Sequence, residues 1–388
     1  MSEPPLSKRT AWNLRSNRLA EALKARLLRG APVLDLTETN PTRVGLADLA
    51  PLDPAAAGSG LAYTPQPFGL PEARQAVARD FARRGANIAA AHVALTASTS
   101  EAYAWLFKLL CDPGDSVLTP RPSYPLFEYL AGLESVRIDH YDVAYDGEWH
   151  VSVDAIAARI DPATRAIVAV SPNNPTGSFL KRGEAEALVE LCRERGLALI
   201  CDEVFADYPL EPVGDPISTI ATQDRALCFA LGGLSKSCGL PQAKLAWIAT
   251  SGPAAVRERA LARLEIIADT YLSVSTAIQT AAPALLEQRS RATAIGERLG
   301  NNLETLRELF SPERPATLFR VEGGWSAVVQ VPATLSEEER TLSLLEVEGV
   351  LVHPGYFFDF PAPAHAVLSL LTPPRILREG TQRLLASL

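Results

Sequence analysis

"AIVAVSPNNPTG", residues 166–177, is a run of five apolar residues that leads into prolines, asparagines and a glycine. A short apolar run that is bounded by turn-forming residues predicts a buried β-strand. Similar short runs recur along the chain at 93–95, 116–118, 197–201, 227–231 and 245–249. Stretches with helical periodicity lie between them at 101–110, 127–133 and 184–195. This alternation predicts an α/β fold with a mainly parallel sheet that is covered by helices.

Three of these predicted strands end in polar residues that could carry chemistry. Asn174 follows the first run, Asp202 follows the run at 197–201, and Lys236 follows the run at 227–231. Sites in parallel sheets collect at the carboxyl ends of the strands, so these side chains are expected to meet. Taken alone, Lys236 is either a solvated loop lysine or an amine nucleophile. Asp202 is either a helix N-cap or loop ion-pair residue, or a carboxylate that needs a specific partner.

A fourth feature is "LTASTSEAYAWLF", residues 95–107. Ser98 and Glu101 have the spacing of a capping box at the start of an apolar helix. Such a start, bordered by the hydroxyls of Ser98, Thr99 and Ser100, could bind a phosphate, or it could be a helix cap and nothing more. A phosphate site, an amide donor, a carboxylate and a lysine together form the set that pyridoxal phosphate requires.

The bulk composition narrows the class of protein. The chain has 388 residues, of which 47% are apolar and 21% charged, and its net charge is -8 from 37 basic and 45 acidic residues. No basic cluster is dense enough for a nucleic-acid partner. We expect no membrane span, no signal peptide and a cytoplasmic location. The five cysteines and five histidines lack metal-binding spacing, so no metal is expected.

The length predicts two unequal domains that share one site. The composition changes after about residue 282, where a charged helical stretch at 287–309 leads into short strands and a last helix. We therefore predict a large cofactor-binding domain at 45–282, and a smaller α+β domain formed by 283–388 with 1–44. Residues 8–29 are predicted to form an arm or helix that packs on another surface, through Trp12, Leu14, Leu19, Leu23 and Leu27.

The order "TASTSEA … PSYP … NNPTG … DEVF … LSK" resembles the fold type I, aspartate aminotransferase-like (class I and II) family, over residues 34–384. The resemblance implies that Lys236 forms the Schiff base with pyridoxal phosphate and carries the proton. It implies that Asp202 pairs with the ring nitrogen and that Asn174 donates to the ring oxygen. The other cofactor-binding residues that it implies are Ser98, Thr99, Ser100 and Ser235 at the phosphate and Tyr124 on the ring face.

The same resemblance implies an assembly and a substrate-binding loop. Tyr63 matches a tyrosine that reaches the phosphate of the neighbouring subunit, which implies a homodimer with shared active sites. Asn40 lies where family members bring an N-terminal loop over the substrate carboxylate, and Arg43 is close to it in sequence.

Four positions depart from the family pattern. Lys244 stands where an arginine usually binds the phosphate, and lysine lacks the planar pair of donors. Gly233 replaces a common serine, and Phe205 replaces a tyrosine that donates to the ring oxygen. Val367 stands where an arginine usually binds the substrate carboxylate. The candidates to replace that arginine are Arg43 first, then Arg320 and Arg375.

The expected function is an aminotransferase that passes an amino group between an amino acid and a 2-oxo acid. The alternatives are a pyridoxal phosphate-dependent lyase or decarboxylase on the same scaffold, or a transaminase for a substrate without an α-carboxylate. A regulatory domain derived from the fold is a further alternative, against which the retained Lys236 and Asp202 argue.

Overall fold

The computed structural model describes residues 6–46, 64–311 and 313–388. Its strands are β1 Leu34–Asp35, β2 Val93–Thr96, β3 Ser116–Arg121, β4 Arg137–Tyr145, β5 Trp149–Val151, β6 Thr164–Val170, β7 Ala198–Asp202, β8 Cys228–Gly233, β9 Ala246–Ser251, β10 Thr317–Leu318, β11 Ser326–Gln330, β12 Val350–Leu351, β13 His353–Pro354 and β14 His365–Ser369. Its α-helices are α1 Arg18–Leu28, α2 Pro71–Arg83, α3 Thr99–Leu110, α4 Phe127–Leu133, α5 Val153–Ala157, α6 Arg182–Arg195, α7 Leu234–Ser237, α8 Ala254–Tyr271, α9 Thr276–Glu287, α10 Ser290–Leu309, α11 Glu337–Ser343 and α12 Pro374–Ala386.

The large sheet has eight strands in the order β2-β9-β8-β7-β6-β3-β4-β5. The five strands from β8 to β4 run parallel to one another. β9 runs antiparallel to both β8 and β2, and β5 runs antiparallel to β4. The predicted α/β class and the six apolar strands are therefore confirmed, whereas the hairpin of β4 and β5 was not predicted. Its strand β4 is a polar segment, RIDHYDVAY, with few buried side chains, so it gives no apolar run to detect.

Both faces of the large sheet are buried against helices, as a mainly parallel sheet requires. Ile167 and Leu199 belong to the apolar cluster on one face. Val168 and Ile200, one residue further along each strand, belong to the cluster on the opposite face. Helix α6 covers this sheet and ends at Arg195. The next residue, Gly196, has a φ of 66°, the left-handed conformation that favours glycine after a helix.

A second sheet, with the antiparallel order β10-β11-β14-β13, lies in the C-terminal part of the chain. Its apolar side packs with α10 and α12 in a separate cluster that includes Trp325 and Leu368. The two-stranded pairing of β1 with β12 ties the N-terminal segment to this region. The domain limits at 45–282 and at 1–44 with 283–388 stay a prediction.

Two helical predictions differ from the structure. The stretch 287–309 is divided, because α9 ends at Glu287 and α10 begins at Ser290. In the N-terminal stretch, α1 covers 18–28 only and starts after Asn17, whose side chain caps Ala20 N at 2.7 Å. Of the five apolar residues predicted to pack there, Leu19 is buried, whereas Leu14 is 86% exposed.

Candidate active site

The carboxyl ends of β6, β7 and β8 open into a cavity of about 370 Å³. Because these strands are parallel neighbours, their carboxyl ends and the segments that follow them bring Asn174, Asp202 and Lys236 into the lining of one cavity. The other predicted cofactor residues that line this cavity are Ser98, Thr99, Ser100, Tyr124, Ser235 and Lys244. The structure therefore gathers nine of the ten predicted cofactor-site residues, and the tenth, Tyr63, lies outside the described residues.

Lys236 lies on the short helix α7, which begins directly after β8. Its ammonium position is 4.7 Å from the ring centroid of Trp325 and 5.4 Å from that of Phe205. Burial lowers the pKa of Lys236 to about 8, and the nearby Asp202 carboxylate opposes this shift. The backbone of the turn is fixed by Tyr208, whose hydroxyl donates to the carbonyl oxygen of Lys236 at 2.6 Å. A buried amine with a lowered pKa is a good nucleophile near neutral pH.

Asp202 is the last residue of β7 and is 9% exposed. Its carboxylate accepts hydrogen bonds from the Tyr103 hydroxyl and from the Val204 N–H, both at 3.1 Å. Burial raises the pKa of Asp202 to about 6, although both hydrogen bonds act against this shift. The neighbouring Glu203 forms the ion pair instead, with Arg84 at 3.2 Å. Asp202 is thus a fixed, buried carboxylate without an ion pair among the described residues.

The start of α3 lies on another part of the cavity wall. Ser98 caps this helix, and its side-chain oxygen accepts the Glu101 N–H at 3.1 Å. The predicted capping box is only half formed, because the Glu101 carboxylate accepts from Ala97 N at 2.6 Å and from the Ser273 hydroxyl. The free N–H groups at such a helix start and the surrounding hydroxyls favour an anion.

Lys244 and Gly233, two of the positions that depart from the family pattern, also line the cavity. Lys244 adopts a left-handed conformation, with φ of 51°, which is uncommon for a residue with a side chain and occurs often at functional sites. A Cβ atom on Gly233 would lie 2.9 Å from the Ala246 Cβ on the adjacent strand β9. The close approach of β8 and β9 therefore explains why a serine does not stand at position 233.

Four aromatic residues also line the cavity: Tyr124, Phe127, Phe205 and Trp325. Tyr124 is 39% exposed and packs edge-on against Phe127 at 6.3 Å. Burial and the charge of Asp202 raise the pKa of the Tyr124 hydroxyl, so the hydroxyl stays protonated. Phe205 is 7% exposed and packs edge-on against Trp325 at 5.5 Å.

The predicted substrate residues do not line the cavity. Asn40 accepts the Thr42 N–H at 3.0 Å in a local turn, and Arg43 is an exposed residue that pairs with Glu38 at 3.2 Å. Thr39, one residue earlier in the same loop, does line it. Val367 is 2% exposed in the middle of β14, where it belongs to the apolar core.

The other two arginine candidates also lie away from the cavity lining. Arg320 pairs with Glu148 and Glu211, both at 3.2 Å, and Arg375 is exposed at the start of α12. Sequence reasoning missed Thr39, Trp325 and Ser326 as lining residues. Trp325 and Ser326 follow "VEGG", just before and at the start of β11. They lie 89 and 90 residues after Lys236, and nothing in their local sequence indicates that they reach the same site.

No helix of the described part of the chain is long and apolar enough to cross a membrane. Among the same residues there is no group of three or more His, Cys, Asp or Glu side chains placed to hold a metal ion.

Comparisons with known proteins agree with this architecture. The chain is 31% identical over 316 residues to the arginine–pyruvate transaminase of Pseudomonas aeruginosa, covering 80% of this chain and 78% of that protein. It is 30% identical over 254 residues to the S-alkyl-thiohydroximate lyase of Arabidopsis thaliana, a match that covers 63% of this chain and about half, 53%, of the lyase.

A crystal structure of an aminotransferase from Escherichia coli has the same fold, with a TM-score of 0.86 and 24% sequence identity. That match covers 98% of this chain and 97% of the other. The sequence pattern described as "Aminotransferase class I and II" matches residues 29–373. The chain therefore belongs to the class I and II aminotransferase family.

Proposed function

We propose that this protein is a pyridoxal phosphate-dependent aminotransferase that moves an amino group between an amino acid and a 2-oxo acid. The observation that carries the proposal is the shared cavity of Lys236 and Asp202, a buried amine and a buried carboxylate whose pKa values shift towards neutrality. Such a pair, together with a phosphate site, matches what this cofactor requires.

The donor set of the cavity fits the three polar parts of pyridoxal phosphate. The start of α3, with the nearby hydroxyls and Lys244, suits a phosphate dianion. Asp202 has no cationic partner in an ion pair within the described residues, and a protonated ring nitrogen would supply one. Lys236 supplies the amine for the cofactor's aldehyde carbon. When bound, the cofactor withdraws the electrons that remain when a bond to the substrate's α-carbon breaks.

The side chains of this protein then have separate tasks. The Lys236 nitrogen takes the proton from the substrate's α-carbon and returns it, since its lowered pKa leaves much of the amine neutral near pH 8. Asp202 keeps the ring nitrogen protonated, while Tyr103 and Val204 hold its carboxylate in place. Tyr124 covers the ring and excludes water from one side.

The composition of the cavity lining keeps two alternatives open, one about the substrate and one about the reaction. The described lining residues include no arginine, and the undescribed residues 1–5, 47–63 and 312 contain none in the sequence. This favours either a substrate without an α-carboxylate or a carboxylate bound through other groups. A lyase or decarboxylase activity is the second candidate, supported by the similarity to a plant lyase.

We also propose a homodimer with shared active sites and a cytoplasmic location. The dimer is supported by the Tyr63 match and by apolar side chains at the end of α8 that are exposed in the single chain, with Ile266 70% and Tyr271 48% exposed.

The test is a single half-reaction, followed by absorbance, of the cofactor-loaded protein with individual amino donors. Transamination leaves the amino group on the cofactor and changes its spectrum permanently, whereas elimination or decarboxylation returns the starting spectrum. Lys236→Ala should remove essentially all turnover and the spectrum of the lysine-bound cofactor, because Lys236 is the buried lining lysine whose charge acts on Asp202. An ordinary rate in that variant would refute the assignment.

A further inference from the structure

Asn174 and Ser326 form a hydrogen bond that joins the two sheets at the cavity. Ser326 is the first residue of β11 in the small sheet, whereas Asn174 follows β6 in the large sheet. The Ser326 hydroxyl donates to Asn174 Oδ1 at 3.2 Å, and both residues line the cavity. We propose that Ser326 is a positioning residue that turns the Asn174 amide so that its Nδ2–H faces the ring oxygen of the cofactor. This inference rests on the proposed function.

The amide of an asparagine needs such a positioning contact because its two ends have nearly the same shape. Turning the amide by 180° exchanges a donor for an acceptor, and an acceptor would repel an anionic ring oxygen. Within residues 6–46, 64–311 and 313–388, Ser326 is the hydrogen-bond partner of the Asn174 side chain. With Oδ1 bound to Ser326, Nδ2 is left for the opposite direction.

The adjacent Asn173 shows the contrast within the same loop. Its Nδ2 donates to the Pro122 carbonyl at 3.0 Å and to the Thr176 hydroxyl at 2.9 Å, so both amide protons are used inside the protein. Asn173 is 3% exposed and does not line the cavity. Of the two asparagines, Asn174 alone has donor capacity left for a ligand.

The orientation of the Asn174 amide matters for the ring oxygen because Phe205 cannot donate a hydrogen bond to it. Ser326 is suited to fix it, since its backbone is held in the sheet opposite Ser369 and its side chain is withdrawn from solvent, at 8% exposed. A hydroxyl on a rigid strand loses little freedom when it forms this bond. The donated proton also polarises the amide and strengthens its Nδ2–H as a donor.

The measurable consequence is the pH midpoint at which the absorbance of the bound cofactor changes. A donor to the ring oxygen stabilises the anionic form and keeps this midpoint low, so losing the donor raises it. A charge-assisted hydrogen bond of about 1.5–3 kcal/mol corresponds to about 1–2 pH units, which is the rise expected for Asn174→Ala. Ser326→Ala should raise the midpoint by about 0.5 unit, because the amide remains but is neither fixed nor polarised.

Matched variants separate positioning from a general structural effect. Ser326→Thr keeps the hydroxyl and should restore the wild-type midpoint, and Ser326→Cys, a weaker donor of similar size, should fall between the wild type and Ser326→Ala. Ser369→Ala is the control, because it removes a buried hydroxyl opposite Ser326 that donates to the Glu38 carbonyl at 2.6 Å. It should leave the midpoint unchanged.

The double variant Ser326→Ala/Asn174→Ala gives the decisive comparison. Its midpoint should equal that of Asn174→Ala alone, because Ser326 acts through that amide. A wild-type midpoint in Ser326→Ala beside a shifted Asn174→Ala would overturn this inference and leave the proposed function standing. A further rise in the double variant would also overturn it. A wild-type protein that takes up no pyridoxal phosphate would overturn both.

Discussion

Replacing Phe205 with tyrosine tests the geometry of the cavity by adding a hydrogen-bond donor rather than by removing one. Phe205 follows Asp202 by three residues, is 7% exposed and lines the cavity beside Lys236. A hydroxyl at this position would donate to the ring oxygen of bound pyridoxal phosphate. Stabilising the anionic oxygen favours loss of the proton, so the absorbance midpoint of Phe205→Tyr should move to lower pH.

The size of this shift follows from the value of a hydrogen bond to a charged group. About 1.5–3 kcal/mol corresponds to about 1–2 pH units, and we expect about 1 unit because Asn174 already donates to the same oxygen. The assay is a pH titration of the visible absorbance of the loaded protein. Phe179→Tyr is the matched control, because Phe179 is 8% exposed and lines a separate cavity of about 310 Å³. An equal or higher midpoint in Phe205→Tyr would show that position 205 does not face the ring oxygen. The match of Phe205 to the tyrosine position of the family would then be wrong.

Two further predictions concern buried charges. Lys181 Nζ lies 3.0 Å from both carboxylate oxygens of the fully buried Glu322, so Lys181→Met should lower the free energy of unfolding by ~3–5 kcal/mol in urea titrations. Arg182→Met, which breaks an exposed pair with Asp215, should change it little, and equal losses in both variants would contradict the argument. For Asp202, the folded-state pKa of about 6 lies above the ordinary value of 3.8, so the folded protein favours the protonated carboxyl. The wild-type protein without cofactor should therefore lose ~2–3 kcal/mol of its free energy of unfolding as the pH rises from about 4 to about 6. Asp202→Asn should lack this loss, and parallel stability curves for the two proteins would show that burial does not raise the pKa of Asp202.

The sequence predicted the parts of the protein that depend on local pattern. The six apolar strands and the α/β class are confirmed, because burial on both faces and turn residues leave clear signals. It also indicated that Asn174, Asp202 and Lys236 would meet, since each follows a strand of one parallel sheet. Their chemical roles stay predictions.

The tertiary structure alone decided the contacts between segments that are distant in the chain. Trp325 and Ser326 reach the cavity because Gly323, just before them, pairs with Pro209 after β7, and because Ser326 bonds to Asn174 after β6. No periodicity in the sequence indicates these contacts. The same holds for Arg320, whose ion pair with Glu211 joins residues that are 109 positions apart in the chain. The sequence determines the charge of a side chain, but its ion-pair partner depends on which backbone segments come within a few ångströms of it. Local composition therefore determined which chemistry is present, and long-range packing determined which of those groups face one another.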